Sequence, residues 1–174
     1  MLISFSGLPG TGKTVIAKEL ARKLPALLLR LDSLEMGIVR SGLVAEQWDL
    51  GPAGYCAGYA VAEDNLRLGH NVVADCVNPL KITRDAWRDA AMRTGTACLE
   101  VEFICSDVSE HRRRVESRVA DIPGLRLPDW GAVLKREYEP WDREHLVLDT
   151  AELSIAEAVE LTLRAVKTAG EQVE

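Results

Sequence analysis

No stretch of this 174-residue chain is apolar for long enough to span a bilayer, which takes roughly 20 consecutive apolar residues. Nor do basic residues predominate, since 21 Lys and Arg stand against 27 Asp and Glu for a formal net charge of -6. That balance offers no general attraction for a nucleic-acid backbone or an anionic membrane surface, and it favours small partners over polymers. Cys56, Cys76, Cys98 and Cys105 form no C-x-x-C pair, and His70, His111 and His145 are scattered. Neither a zinc site nor a disulfide framework is indicated, and reduced, buried thiols are the expectation. Internal repeats and low-complexity tracts are absent too, and the length suits one domain, residues 1–174.

What the chain does have is Gly7-Leu8-Pro9-Gly10-Thr11-Gly12-Lys13-Thr14, a complete G-x-x-x-x-G-K-[ST] pattern directly after the apolar run Leu2-Ile3-Ser4-Phe5. A strand delivers the chain to a loop whose glycines let the backbone approach a ligand closely. Successive N–H groups, continuing into Thr14 and Val15 at the start of a helix, can then point at nucleotide phosphates. Lys13 adds a full positive charge, and the Thr14 hydroxyl suits Mg²⁺. A ligand-free glycine-rich turn before a helix is the alternative, but the four residue constraints of the pattern and the strand-loop-helix context agree on the nucleotide. The loop begins at residue 7, which leaves no room for a signal peptide and makes a cytoplasmic location the expectation.

Periodicity places a helix after the loop, with Ile16, Ala17, Leu20, Ala21 and Leu24 on one face before Pro25. A second strand, residues 26–31, ends at Asp32-Ser33, and a short helical stretch covers 34–39. A longer helix over 53–68 leads to a third strand, 71–74, ending at Asp75. Helix 82–92, strand 97–104 and an arginine-rich helix over 107–120 that begins after Ser106 come next. A break at 121–124 opens a segment with Pro128, Pro140, Trp130 and Trp141, followed by a fifth strand over 145–148. Ser154 and Glu157 form a capping box for a last helix reaching about residue 169. Alternating strands and helices imply an α/β three-layer sandwich, a parallel sheet of about five strands wrapped on both faces, with ligands beyond the carboxyl ends of the strands. The loop, Asp32 and Asp75 all lie at those ends.

The loop, Asp32 after the second strand, Asp75 after the third and an arginine-bearing helix before residues 121–141 together resemble the small P-loop kinases. The chain is similar to the branch of AAA-domain ATPases that holds polynucleotide 5′-hydroxyl kinases, zeta toxins and antibiotic phosphotransferases. The resemblance implies a P-loop NTPase fold and transfer of the γ-phosphoryl group of ATP, with Mg²⁺, to a hydroxyl of a small molecule or a nucleic-acid end. Other P-loop classes fit less well. The Asn-Lys-x-Asp base-reading motif of GTPases is absent, and no Asp-Glu pair exists for a ring-forming ATPase.

The same resemblance suggests roles. Asp32 is the candidate general base and acceptor contact, with helix N-capping by Asp32 or Ser33 as the alternative. Asp75 is a candidate for Mg²⁺ or for the acceptor, or else a cap before Asn78-Pro79. Polynucleotide kinases usually carry an arginine three residues beyond the base, where this chain has Glu35; Arg40 is the candidate replacement for an anionic acceptor, with a solvated surface arginine as the alternative. With Val108, Val115 and Val119 taken as the buried stripe of the arginine-rich helix, Arg114 and Arg118 share a flank. Both are candidate transition-state or nucleotide contacts, although Glu110 can pair with Arg114 and Glu116 with Arg112. Arg113 is expected to point into solvent. Residues 121–141 would be the lid, with Trp130 and Trp141 either stacking on substrate or packing against the domain, and Thr150 would lie where related kinases hold the adenine with backbone groups. Residues 36–52, with Trp48, Tyr55 and Tyr59, are expected to shape the acceptor pocket or to be core.

Overall fold

A computed structural model describes residues 1–171. Five parallel strands form one sheet in the order β2-β3-β1-β4-β5: β1 (Leu2–Ser6), β2 (Ala26–Arg30), β3 (Asn71–Asp75), β4 (Cys98–Ile104) and β5 (Leu146–Asp149). β1 is central and wholly buried, which suits a strand whose only polar residues are two small serines. Its residues alternate between two cores. Ile3 and Phe5 join Ile16, Leu20 and Val159 on the face covered by α1 (Lys13–Lys23) and α7 (Ile155–Glu171). Leu2 joins Ala62, Leu66 and Trp87 on the face covered by α3 (Ala53–Arg67) and α4 (Lys81–Arg93).

The two buried hydroxyls of β1 need partners, and Asn78 supplies them. Its Nδ2 donates to Ser4 Oγ at 3.2 Å and to Ser6 Oγ at 3.1 Å. Asn78 adopts φ 52°, among the described residues the one non-glycine residue with positive φ, and so turns the chain after β3 beneath the loop that follows β1.

Two helices depart most from expectation, the strands and other helices differing by a residue or two at their ends. α2 spans Leu31–Arg40, so Asp32 sits inside the first helical turn and is not the N-cap; Arg30 holds that position without a side-chain capping bond. α5 spans Val108–Ser117 and is capped by Asp107, whose Oδ1 accepts from Ser109 and Glu110 N–H groups, in place of the start after Ser106. Its buried positions are His111 and Val115. Val108 and Val119 are 64% and 90% exposed, because α5 packs on the loop after β1 and stops before Val119. α6 (Trp130–Lys135) is the short helix between α5 and β5, and the Ser154–Glu157 capping box forms reciprocally at the start of α7. Among the described residues no helix is long and apolar enough to cross a membrane.

Candidate active site

Geometry explains why glycine recurs in the loop. Gly7 has φ 135°, and a Cβ there would lie 2.2 Å from the carbonyl oxygen of Phe103. Gly10 has φ 89°, with Val115 Cγ2 only 2.5 Å from where its Cβ would stand. The loop ends in α1, whose N-terminus has neither a side-chain cap nor an acidic residue in its first turn. The first-turn N–H groups of Lys13, Thr14 and Val15 therefore have no internal partner and carry the positive end of the helix dipole.

Lys13 is buried, and its Nζ donates to the Leu8 carbonyl at 2.8 Å and lies 3.5 Å from Thr11 Oγ1. Burial pulls its pKa down to about 8, against the opposing charge of Asp75. Asp75 at the end of β3 is buried as well. Burial raises its pKa, while the Lys13 ammonium and the Thr14 hydroxyl oppose the rise. Arg30 Nε stands 3.7 Å from Asp75 Oδ2.

A cavity of about 480 Å³ opens over α1. Gly10 and the stretch from Gly12 to Val15 line it, with Lys18, Arg30, Asp32, Arg113, Arg114, Arg118, Asp121, Leu125 and Leu127. Six cationic side chains thus face two carboxylates, the bias a polyphosphate needs. Gly7, Leu8, Pro9, Thr11 and Asp75 are not in the lining. A Mg²⁺ ion fits the donor set of Thr14 hydroxyl and Asp75 carboxylate, the sparse protein contribution typical of an ion whose other ligands are phosphates and water. Among the described residues no group of three or more His, Cys, Asp or Glu forms a self-sufficient metal site.

The arginines of residues 112–118 divide between partners within the protein and the cavity, and the pairs of Glu110 with Arg114 and of Glu116 with Arg112 form at helical spacing. Arg114 is committed within the protein, donating to Glu110 Oε1 at 2.7 Å and to Thr150 Oγ1 and the Thr150 carbonyl at 2.9 Å each. Thr150 itself is buried and outside the lining. Arg113 is exposed to solvent as expected, at the rim of the cavity, where it pairs with Glu110. Arg118 lies past the end of α5 in extended backbone, and its Nε is buried with no hydrogen-bond partner. Arg40 is not brought to the cavity; its guanidinium donates to the Pro123 carbonyl at 2.9 Å.

The expected acceptor residues are mostly packed. Tyr55 and Tyr59 flank the core around Trp87, and the Tyr55 hydroxyl accepts from Asn78 N–H at 3.1 Å. Trp141 stacks on His145 with ring centroids 3.9 Å apart, and Trp130 meets His111 edge-on at 5.1 Å. Trp48 is exposed beneath Arg126.

Sequence reasoning missed two groups. Asp121 accepts a bidentate pair from Arg30, two bonds of 2.9 Å, and a third from Lys18 at 2.7 Å. His111 Nε2 lies 2.8 Å from the Pro9 carbonyl, beneath the loop. The sequence held a signal only for Lys18, one turn beyond the loop's Thr14 on the same helix face.

A glycine loop feeding an uncapped helix, with carboxylates at the ends of the neighbouring strands, defines the P-loop kinase class of α/β folds. The chain belongs to the AAA domain family, whose model matches residues 2–130. An adenylyl-sulfate kinase of Synechococcus sp. (strain JA-3-3Ab) is 27% identical over 176 residues, spanning 95% of this chain and 93% of that protein. Among solved structures, the Mycobacterium tuberculosis APS kinase CysC in complex with AMPPNP and APS superposes with a TM-score of 0.72 at 22% identity, over 95% of this chain and 96% of that one. A Chloroflexus aurantiacus protein reaches a TM-score of 0.75 at 22% identity, over 97% and 96% of the two chains. These superpositions show the fold.

Proposed function

We propose that this protein is an ATP- and Mg²⁺-dependent kinase that moves the γ-phosphoryl group of ATP to a hydroxyl of a small molecule. The observation that carries the reading is the meeting, in one cationic cavity, of the free N–H groups of α1, buried Lys13 and Asp32. The loop N–H groups and Lys13 hold the β- and γ-phosphates and stabilise charge on the transferred group. Asp32 accepts the proton of the acceptor hydroxyl as its oxygen bonds to the γ-phosphorus. The bond from that phosphorus to the bridging oxygen breaks, and ADP leaves. Thr14 and Asp75 hold Mg²⁺, which when bound neutralises phosphate charge. Arg118, with a guanidinium nitrogen left unpartnered in the structure, is the arginine best able to reach the transferred group. Residues 121–141 act as a lid that excludes water, and the chain works as one domain in the cytoplasm.

The test is ADP release from Mg-ATP across a panel of acceptors, with Lys13→Ala as the blank. Adenylyl sulfate heads the panel because the curated relatives act on it; sugars, nucleosides, aminoglycosides and short oligonucleotides complete it. Stimulation by one class, lost in the blank, is the expected outcome. Slow turnover indifferent to every acceptor would turn the reading toward an ATP-dependent switch.

A further inference from the structure

We infer that Asp121 is a positioning residue: gripped by Arg30 from β2 and Lys18 from α1, it fixes Arg118 over the phosphate site. The inference rests on the kinase reading above. α5 ends at Ser117, and Asp121 is the next point at which a polar side chain ties the backbone to the rest of the protein. Only three residues lie between, a tether of roughly 10 Å when extended. Arg118 has extended backbone, φ -72° and ψ 146°, and Val119 is 90% exposed, so packing by its side chain does not hold the crossing in place. Ile122, buried next to Asp121, keeps the segment down without setting a direction.

The ion pairs do set one. Bidentate Arg30 and monodentate Lys18 approach Asp121 from two elements, and a planar carboxylate held by three charge-assisted bonds has little freedom to slide. Asp121, Arg30, Lys18 and Arg118 all line the one cavity with Lys13 and Asp32. Arg118 feels the charge of both Asp32 and Asp121, and its own proximity depresses the proton affinity of Lys13. Without its anchor, the tether would release a guanidinium that no internal hydrogen bond at Nε retains.

Transition-state charge can be probed without knowing the acceptor, by comparing binding of a fluorescent ADP analogue with Mg²⁺ in the absence and presence of fluoroaluminate. For the native chain, fluoroaluminate should tighten binding. In Asp121→Asn that tightening should fall about 10-fold while affinity for Mg-ADP alone changes less than about 3-fold, the mark of a contact made only to the transferred group. Arg118→Ala should show the same loss, the double variant should be no worse than Arg118→Ala, and Asp121→Glu should recover most of the effect. A melting curve for each variant separates these changes from unfolding. Multiplying losses in the double variant, or an equal loss for Mg-ADP alone, would overturn the inference and leave the kinase reading standing. Failure of the native chain to bind Mg-ADP would overturn both.

Discussion

His111 Nε2 lies 2.8 Å from the carbonyl oxygen of Pro9, 102 positions earlier in the chain. A carbonyl only accepts, so the ring carries its proton on Nε2 and donates to the phosphate loop from below. The edge of the same ring meets Trp130 of α6, with centroids 5.1 Å apart. One buried side chain thus touches both the loop and the helix of the proposed lid.

Replacing that ring should loosen the loop. His111→Ala leaves the Pro9 carbonyl without its donor and opens a void, costing about 2 kcal/mol of stability and raising the KM for ATP several-fold. His111→Gln should restore part of the affinity. Thermal melts and steady-state kinetics of the two variants check this.

Lys13 ties nucleotide binding to pH. Its folded pKa of about 8 lies below the ordinary lysine value of 10.5, so the unfolded chain holds more protons between those values. The contribution of Lys13 to stability therefore rises as pH rises from 8 to 10.5. Phosphate binding demands the charged form and acts in the opposite sense: affinity for ATP should fall as pH climbs through about 8, with proton uptake on binding. Calorimetry in buffers of different ionisation enthalpy measures that uptake, and Lys13→Met should abolish it.

Asp32→Asn keeps the shape of the side chain and removes the base. Transfer to the acceptor should fall at least about 100-fold, while the dissociation constant for Mg-ATP stays within a few-fold. A variant that transferred phosphate at the native rate would remove Asp32 from the chemistry.

Gly7→Ala should be far more damaging than its size suggests. The added methyl meets the Phe103 carbonyl, part of the β4 backbone next door, and φ 135° is strained for any L side chain. A loss of about 3 kcal/mol or more is expected, lowering Tm by roughly 10 °C. Differential scanning calorimetry reads it directly, without ligand or activity.

The legible parts of the molecule are those encoded locally. Leu2 to Thr14 announce strand, loop and helix within a dozen residues, and the alternation of elements implied the parallel sheet. Asp32 could be singled out because it follows a recognisable strand, and Arg118 because it stands in a recognisable arginine-rich segment. The misread parts depend on distant partners. Arg30 and Asp121 lie 91 positions apart, and only the folded sheet reveals that β2 ends beside the crossing after α5. His111 looked like a scattered histidine because Pro9, which explains it, belongs to the loop. The buried stripe of α5 was misassigned for a related reason: its packing surface is the loop, met at His111 and Val115, and no valine spacing encodes that. Arg40 illustrates the limit for charged side chains, since nothing local signals that it will donate to a backbone carbonyl.

The bare N-terminus of α1 also bears on how this protein should be handled. In α5 and α6 a capping aspartate satisfies first-turn N–H groups, whereas here that task falls to whatever anion occupies the loop. Ligand and helix are therefore parts of one folding unit, and at a hundredfold excess over its dissociation constant a nucleotide adds about 2.7 kcal/mol to the stability of the whole chain. The melting temperature becomes a gauge of occupancy, able to rank nucleotides before any acceptor is known.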